Sequence, residues 1–190
     1  MSAVLEYPHK HAISAEEYLR MGEAGVFAPE ARFELIEGEI IEMAPIGSPH
    51  AGTVAILDRI LARAAGDRAI VWVQNPLRLG ERSMPQPDLA LLTPRTDSYR
   101  SSHPTAADVL LVVEVSDTTL QFDLSTKIPL YARAGIAEAW VVDLEKRAVR
   151  VYRDPDPAGY RMSFTASGDE TVSMRALTGV AVTVLALFPA

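Results

Sequence analysis

The sequence of 190 residues contains no cysteine. This absence excludes a disulfide framework, a zinc site with cysteine ligands and a thiol nucleophile. No apolar run reaches the roughly 18 to 20 residues that span a bilayer, and residues 1–20 lack the basic and apolar segments of a secretion signal. These absences predict a cytoplasmic protein with no membrane partner.

Lysine is scarce as well, since only three of the 18 basic residues are Lys and the rest are Arg. The net charge is −7, and residues 1–50 alone hold nine acidic and three basic side chains. A protein that coats nucleic acid needs a basic face to neutralise phosphates, so this class is excluded. A smaller nucleic-acid site stays open in residues 120–153, which hold six basic and four acidic side chains.

The N-terminal part predicts a helix followed by a β-hairpin. Ser14 and Glu17 have the spacing of a capping box, which predicts a helix over 15–23. Residues 32–43 alternate between apolar and charged side chains around a turn at Glu37-Gly38, as in a hairpin. The charged side of this hairpin is interpreted as a solvated face, and it consists of Glu34, Glu37, Glu39 and Glu42.

The rest of the chain alternates between strand and helix patterns. Ser48 before Pro49 is typical of a helix N-cap, and Gly66 would end that helix. A strand over 108–116, a helix over 123–134 and a strand over 138–144 form a βαβ unit. Further strands are predicted at 69–79, 86–92 and 148–154, with a surface loop over 93–107.

Glu114 is the anomalous residue of the predicted central strand, because it interrupts an apolar run. An unpaired ionised carboxylate in that position would be destabilised by several kcal/mol through desolvation. Three explanations are usual: a basic partner, a raised pKa or a metal ion. A Glu at the end of a strand, paired with an Arg, would account for the position without any function.

Asp88 makes a functional explanation of Glu114 stronger. It follows Pro87 and precedes an apolar run, which places it at the start of a strand. If that strand lies beside 108–116, the two carboxylates can point at one spot, and Mg²⁺ is commonly held by one or two carboxylates and several waters. On its own, a Pro-Asp pair is typical of a turn.

Lys127 is the third candidate. The helix that follows the Glu114 strand packs beside it, so a long side chain in its first turns can reach the carboxylates. There it would offset negative charge and hold or deprotonate a water molecule. The alternative is a solvated Lys on the helix surface, paired with Asp123 one turn earlier.

Together these residues resemble the motif of the PD-(D/E)XK restriction-endonuclease-like nuclease superfamily: Pro87-Asp88, then Glu114-x-Ser116, then a later Lys. The sequence is most similar to a bacterial branch in which the motif lysine has moved from the strand to the following helix. The similarity extends over about residues 13–153, and Leu177-Thr178-Gly179 fits the tail of the branch. Its most specific part is the spacing of Lys127, Tyr131, Gly135, Trp140 and Asp143.

The resemblance implies a restriction-endonuclease-like α/β fold, in which helices flank a central mixed β-sheet preceded by an N-terminal helix and β-hairpin. We expect one domain over 1–190, with a core at about 30–155 and C-terminal edge strands at about 158–190. The implied activity is that of a metal-dependent endonuclease that hydrolyses the phosphodiester bonds of DNA.

The resemblance also implies a role for each site residue. Asp88 and Glu114 would hold Mg²⁺, with Mn²⁺ as a substitute, and Lys127 would orient the attacking water and offset charge in the transition state. His50, at the start of the long helix, and Glu37 are added as further catalytic candidates. The sequence departs from the motif at two positions. Ser116 stands where the ordinary motif has Lys, and Pro129 follows Lys127 closely in the predicted helix.

Two other functions stay open from the sequence. One is a protein that keeps the fold for binding or assembly without catalysis; the other is a metal-dependent hydrolase of a small phosphodiester, which suits the acidic composition better than duplex DNA. We also expect a homodimer, because duplex cleavage cuts two strands and the apolar tail over 180–188 offers surface to bury.

Overall fold

The computed structural model describes residues 10–28 and 30–189. Residues 1–9 lie outside this range. They are part of the N-terminal segment in which we find no secretion signal. The first helix, α1 (Ala15–Glu23), begins with the predicted capping box, in which the Ser14 and Glu17 side chains each accept from the other's backbone N–H. The hairpin that follows consists of β1 (Arg32–Ile36) and β2 (Glu39–Met43), which pair antiparallel.

Six strands form the central sheet of the described chain, in the order β3-β4-β5-β6-β7-β8. Strands β5 and β6 are parallel and the other neighbours are antiparallel, so the sheet is mixed as predicted. The strands are β3 (Ile70–Val73), β4 (Leu89–Leu92), β5 (Val109–Ser116), β6 (Glu138–Asp143), β7 (Ala148–Asp156) and β8 (Gly159–Ser167).

Helices cover both faces of this sheet, as predicted. On one face lies α2 (Ser48–Ala65), which packs Leu57 and Leu61 against alternate side chains of β4 and β5. On the other lies α3, residues 120–133, which is one helix in three parts. Because successive side chains of a strand point to opposite faces, Val112 and Glu114 of β5 lie on the α3 side.

The C-terminal region corrects one premise of the dimer prediction. Strand β8 forms an edge of the central sheet, whereas β9 (Thr171–Ser173) and β10 (Ala181–Thr183) pair as a separate hairpin. The tail beyond residue 180 is not an apolar surface, because most of its large apolar side chains are buried in the core on the α2 side. The homodimer therefore stays a prediction without this support.

Several boundaries differ from the sequence prediction. The strand expected at 69–79 covers only Ile70–Val73, the strand expected at 86–92 covers Leu89–Leu92, and the helix expected at 123–134 covers 120–133. Ser48 is the first helical residue rather than the N-cap; Gly47 takes that position, and no side chain caps the helix. Strand β3 ends at Val73 because the backbone of Gln74 turns into the left-handed region, with φ of 49°. Among the described residues, no helix is both long and apolar enough to cross a membrane.

Candidate active site

Asp88 lies directly before β4 and is buried, with 6% of its surface exposed. Three donors hold its carboxylate. The Val115 backbone N–H donates to Oδ2 at 2.9 Å, His50 Nε2 lies 3.0 Å from the same oxygen, and Gln74 Nε2 donates to Oδ1 at 3.1 Å. The antiparallel pairing of β4 with both β3 and β5 brings Gln74 and Val115 to Asp88, and His50 reaches it from α2.

Glu114 is buried on the α3 side of β5, with 2% exposed. Its Oε1 accepts a hydrogen bond from the Tyr131 hydroxyl and lies 3.2 Å from Lys127 Nζ. Its basic partner is therefore a lysine that it shares with another carboxylate, rather than the arginine of the non-functional interpretation. Tyr131 is in the spacing pattern of the family resemblance, but its contact with Glu114 was not predicted.

Lys127 is buried, with 2% exposed, so the interpretation of a solvated surface lysine is wrong. Its Nζ lies 3.0 Å from Glu34 Oε1 as well as near Glu114. The middle part of α3, Asp123–Lys127, is a π-helical turn in which the Ile128 N–H donates to the carbonyl of Asp123. Such wide turns are frequent at functional sites, and this one ends at Lys127.

Pro129 fits into α3 because of its position in the first turn of the last part, Ile128–Arg133. A proline has no N–H to donate, and in the first turn of a helix this loss is tolerated. The π-helical turn before it interrupts the regular pattern of hydrogen bonds, so the helix passes through residue 129 without ending.

Glu34 corrects the interpretation of the hairpin as a solvated face. It is 1% exposed and pairs with Lys127, whereas Glu37 and Glu39 are exposed. The alternation of polar and apolar residues in β1 does not predict this burial. It indicates which side chains share a face of the hairpin, but not that α3 covers Glu34. The structure does not bring Glu37 to the site: its carboxylate pairs with Arg133 and lies away from the residues around Lys127.

Asp123 is a further site residue that sequence reasoning missed. The sequence predicts Asp123 only as a surface partner of Lys127, yet it is 2% exposed. The hydroxyls of Ser116 and Thr119 both donate to its Oδ2, each at 2.8 Å. Ser116, which stands where the ordinary motif has Lys, therefore connects the strand to α3 through Asp123.

These residues line one cavity of about 270 Å³ at the end of β5. Its wall has an excess of negative charge, since five carboxylates face two basic side chains and one histidine. The lining includes Glu34, Asp88, Glu114, Asp117, Asp123, Arg32, Lys127 and His50.

Burial and mutual repulsion shift the pKa values of these groups. Burial raises the pKa of Glu114 well above its usual value, and the charges of Asp123, Asp88 and Glu34 add to this, while Lys127 opposes it. Burial likewise raises the pKa of Glu34 and of Asp123. Such an excess of carboxylates in one cavity would be stabilised by a bound cation.

Asp88 and Lys127 are shifted towards their charged forms. Burial alone would raise the pKa of Asp88, but the hydrogen bond and charge of His50, with the bonds from Val115 and Gln74, leave it below its usual value. Burial alone would lower the pKa of Lys127, but Glu114, Glu34 and Asp123 raise it. The surrounding carboxylates thus favour the ammonium form of Lys127.

The donor set fits a hard divalent cation that keeps much of its water. Among residues 10–28 and 30–189, no three His, Asp or Glu side chains are arranged as a ready metal cage. Mg²⁺ needs no such cage, because it binds through one or two carboxylates and retains several waters. Asp88 and Glu114 can supply those carboxylates, and Glu34 Oε2, buried with no hydrogen-bond partner among the described residues, leaves acceptor capacity for a metal-bound water.

A known protein family matches this chain over most of its length. A profile of the Uma2 family, described as "Putative restriction endonuclease", matches residues 15–185. The chain belongs to the Uma2 family. No curated protein matches it.

A solved structure supports the fold of this Uma2 chain. It is a protein from Anabaena variabilis described as a "putative nuclease belonging to DUF820", and it aligns with a TM-score of 0.75 and 18% identity. The alignment covers 93% of the present chain and 97% of the other. The restriction-endonuclease-like fold and the superfamily resemblance are thereby confirmed for this Uma2 protein.

Proposed function

We propose that this Uma2 protein is a divalent-metal-dependent endonuclease that hydrolyses phosphodiester bonds of DNA. The observation that carries the proposal is the position of the Lys127 ammonium, 3.2 Å from Glu114 and 3.0 Å from Glu34, in a cavity that Asp88 also lines. Acidic groups with a fixed cation among them are the parts that phosphodiester hydrolysis needs. Membership of a family described as "Putative restriction endonuclease" supports the same reaction.

Asp88 and Glu114 are the residues that would hold Mg²⁺, or Mn²⁺ in its place. When bound, the ion supplies a Lewis acid for a phosphate oxygen and a water of lowered pKa. Asp88 is suited to the task because its carboxylate is ionised and is held by three donors. His50 acts through Asp88 as one of those donors.

Lys127 contributes a positive charge and hydrogen-bond donors beside the reacting phosphate. Its ammonium form, which the neighbouring carboxylates favour, orients the attacking water and stabilises the negative charge that grows on the phosphate oxygens. Glu34 fixes the ammonium from the other side. Tyr131, which donates to Glu114, fixes the rotation of that carboxylate.

Metal titration and a cleavage assay test the proposal together. The protein should bind Mn²⁺ in calorimetry and cleave a DNA oligonucleotide only when Mg²⁺ or Mn²⁺ is present, and Asp88→Ala should abolish both. An Asp88→Ala variant that binds and cleaves like wild type would contradict the assignment. If wild type binds the ion without cleaving any DNA or small diester, the protein uses its fold for binding or assembly instead.

A second candidate, hydrolysis of a small phosphodiester, is favoured by the charge of the cavity wall. Five acidic and two basic side chains line it, and duplex DNA normally needs a basic surface. Bis(p-nitrophenyl) phosphate is the probe that separates the candidates. A DNA endonuclease should cleave the oligonucleotide far faster than this diester at equal concentration, and the reverse order would favour the small substrate.

A further inference from the structure

Gln74 has an unusual backbone conformation for its residue type. It directly follows β3, and its φ of 49° lies in the left-handed region, which glycine adopts freely and most other residues avoid. Its backbone N–H donates to the carbonyl of Asp88 at 3.1 Å. The same turn of the chain aims its side chain at the Asp88 carboxylate, where Nε2 donates to Oδ1 at 3.1 Å.

This side-chain bond is the only one to that oxygen within the described chain. Val115 and His50 both contact the other oxygen, Oδ2. Rotation of a carboxylate about its last torsion is soft, so donors at one oxygen alone leave the other poorly fixed. The amide of Gln74 therefore sets the plane of the Asp88 carboxylate.

Gln74 is not among the residues that line the cavity. It therefore acts on the site through Asp88 and not through contact with a substrate. Backbone strain beside a functional group is tolerated where the strained conformation serves to place that group.

We propose that Gln74 is a positioning residue that orients Asp88 for metal binding and thereby for hydrolysis. This inference rests on the proposed function, since it requires Asp88 to be a metal ligand. Partners of metal ligands have a recognised effect: their loss typically lowers metal affinity or activity 10- to 100-fold.

Gln74→Gly tests the inference because it removes the amide while it relieves the strained backbone. We expect Mn²⁺ affinity in calorimetry and metal-dependent cleavage each to fall about 10- to 100-fold, while the midpoint of thermal unfolding stays equal or rises. A purely structural role predicts the opposite pattern, with a lowered midpoint and an unchanged affinity. Gln74→Asn, whose side chain tolerates the same backbone but is one methylene shorter, should show the same loss of affinity.

Ser98→Gly is the matched control. Ser98 has the same φ of 49°, is exposed and lies outside the cavity, so its replacement should leave affinity and cleavage unchanged. If wild type binds Mn²⁺ and cleaves but both Gln74 variants equal it, the inference fails and the proposed function stands. If wild type neither binds nor cleaves, both fail together, and if Gln74→Gly does not fold, Gln74→Asn decides.

Discussion

Two glutamates are buried to almost the same extent on adjacent parallel strands, yet their surroundings differ. Glu138, at the start of β6, is 1% exposed, and Glu114, near the end of β5, is 2% exposed. Glu138 Oε1 accepts from Trp140 and from Arg153, and its Oε2 accepts from the backbone N–H of Arg175. Both of its oxygens are satisfied by the protein itself.

Glu114 has the opposite arrangement. Its one cation within residues 10–28 and 30–189 is Lys127, which it shares with Glu34, and further carboxylates line the cavity beside it. Burial without matched partners destabilises a fold, so its presence needs another explanation. The difference teaches that the number of donors and competing charges around a buried carboxylate, rather than its depth, separates a structural group from a candidate catalytic one.

Among the variants that test this comparison, the largest effect should come from Glu114→Gln. Loss of the carboxylate charge should lower metal-dependent cleavage by about 10³-fold, at the upper end for loss of one electrostatic group in an active site. The free energy of unfolding should stay unchanged or rise, because one of several repelling charges disappears. Cleavage rates and chemical denaturation, measured on the same preparation, check both expectations. A large loss of stability would show that Glu114 is a structural group like Glu138.

Glu138→Gln should give the reverse pattern. Removing the charge that faces Arg153 leaves a mostly buried guanidinium unpaired, which should lower the free energy of unfolding by about 3 kcal/mol. Cleavage by the folded fraction should match wild type, because Glu138 does not line the cavity. Urea denaturation measures the free energy of unfolding, and a cleavage assay in buffer measures the activity of the folded protein. A folded Glu138→Gln variant without activity would contradict the assignment of Glu138 as a structural group.

Lys127→Arg and Lys127→Ala should each lower cleavage by about 10²-fold, the scale for loss of a positioned group. The planar guanidinium of Arg does not fit where a compact ammonium lies between two buried carboxylates. Metal affinity should change far less than in Asp88→Ala. Single-turnover cleavage with calorimetric Mn²⁺ titration measures both, and wild-type rates in the two variants would remove Lys127 from the chemistry.

The sequence predicts much of the fold because its patterns are local. The capping box at Ser14, the turn at Glu37-Gly38 and the apolar run around Glu114 were all found where predicted. Each depends on the period of a helix or strand or on the conformational preference of a few neighbouring residues. The motif residues Asp88, Glu114 and Lys127 line one cavity, and their roles stay predictions.

The parts of the site that the sequence did not predict are long-range. Glu34 is 93 positions from Lys127, and no local pattern indicates that α3 would cover its side of the hairpin. Gln74 has a left-handed backbone conformation, which its residue type does not predict. Glu37 was predicted as a catalytic candidate, but it lies in the turn of the hairpin, where it is exposed and pairs with Arg133.

The smallest effect should come from the capping box of α1, whose residues Ser14 and Glu17 do not line the cavity. Ser14→Ala removes the hydroxyl that accepts from the Glu17 N–H, which should lower the free energy of unfolding by about 1 kcal/mol without changing cleavage. Hydrogen bonds from the backbone and side chain of Ser14 lower the pKa of Glu17 from 4.5 to about 2. Because this pKa is depressed in the folded state, the contribution of Glu17 is present above pH 4.5 and is lost as the pH falls towards 2. The difference between Ser14→Ala and wild type, measured by urea denaturation, should therefore be smaller near pH 2.5 than at pH 7, and an equal difference at both would show that the Glu17 charge takes no part in the cap.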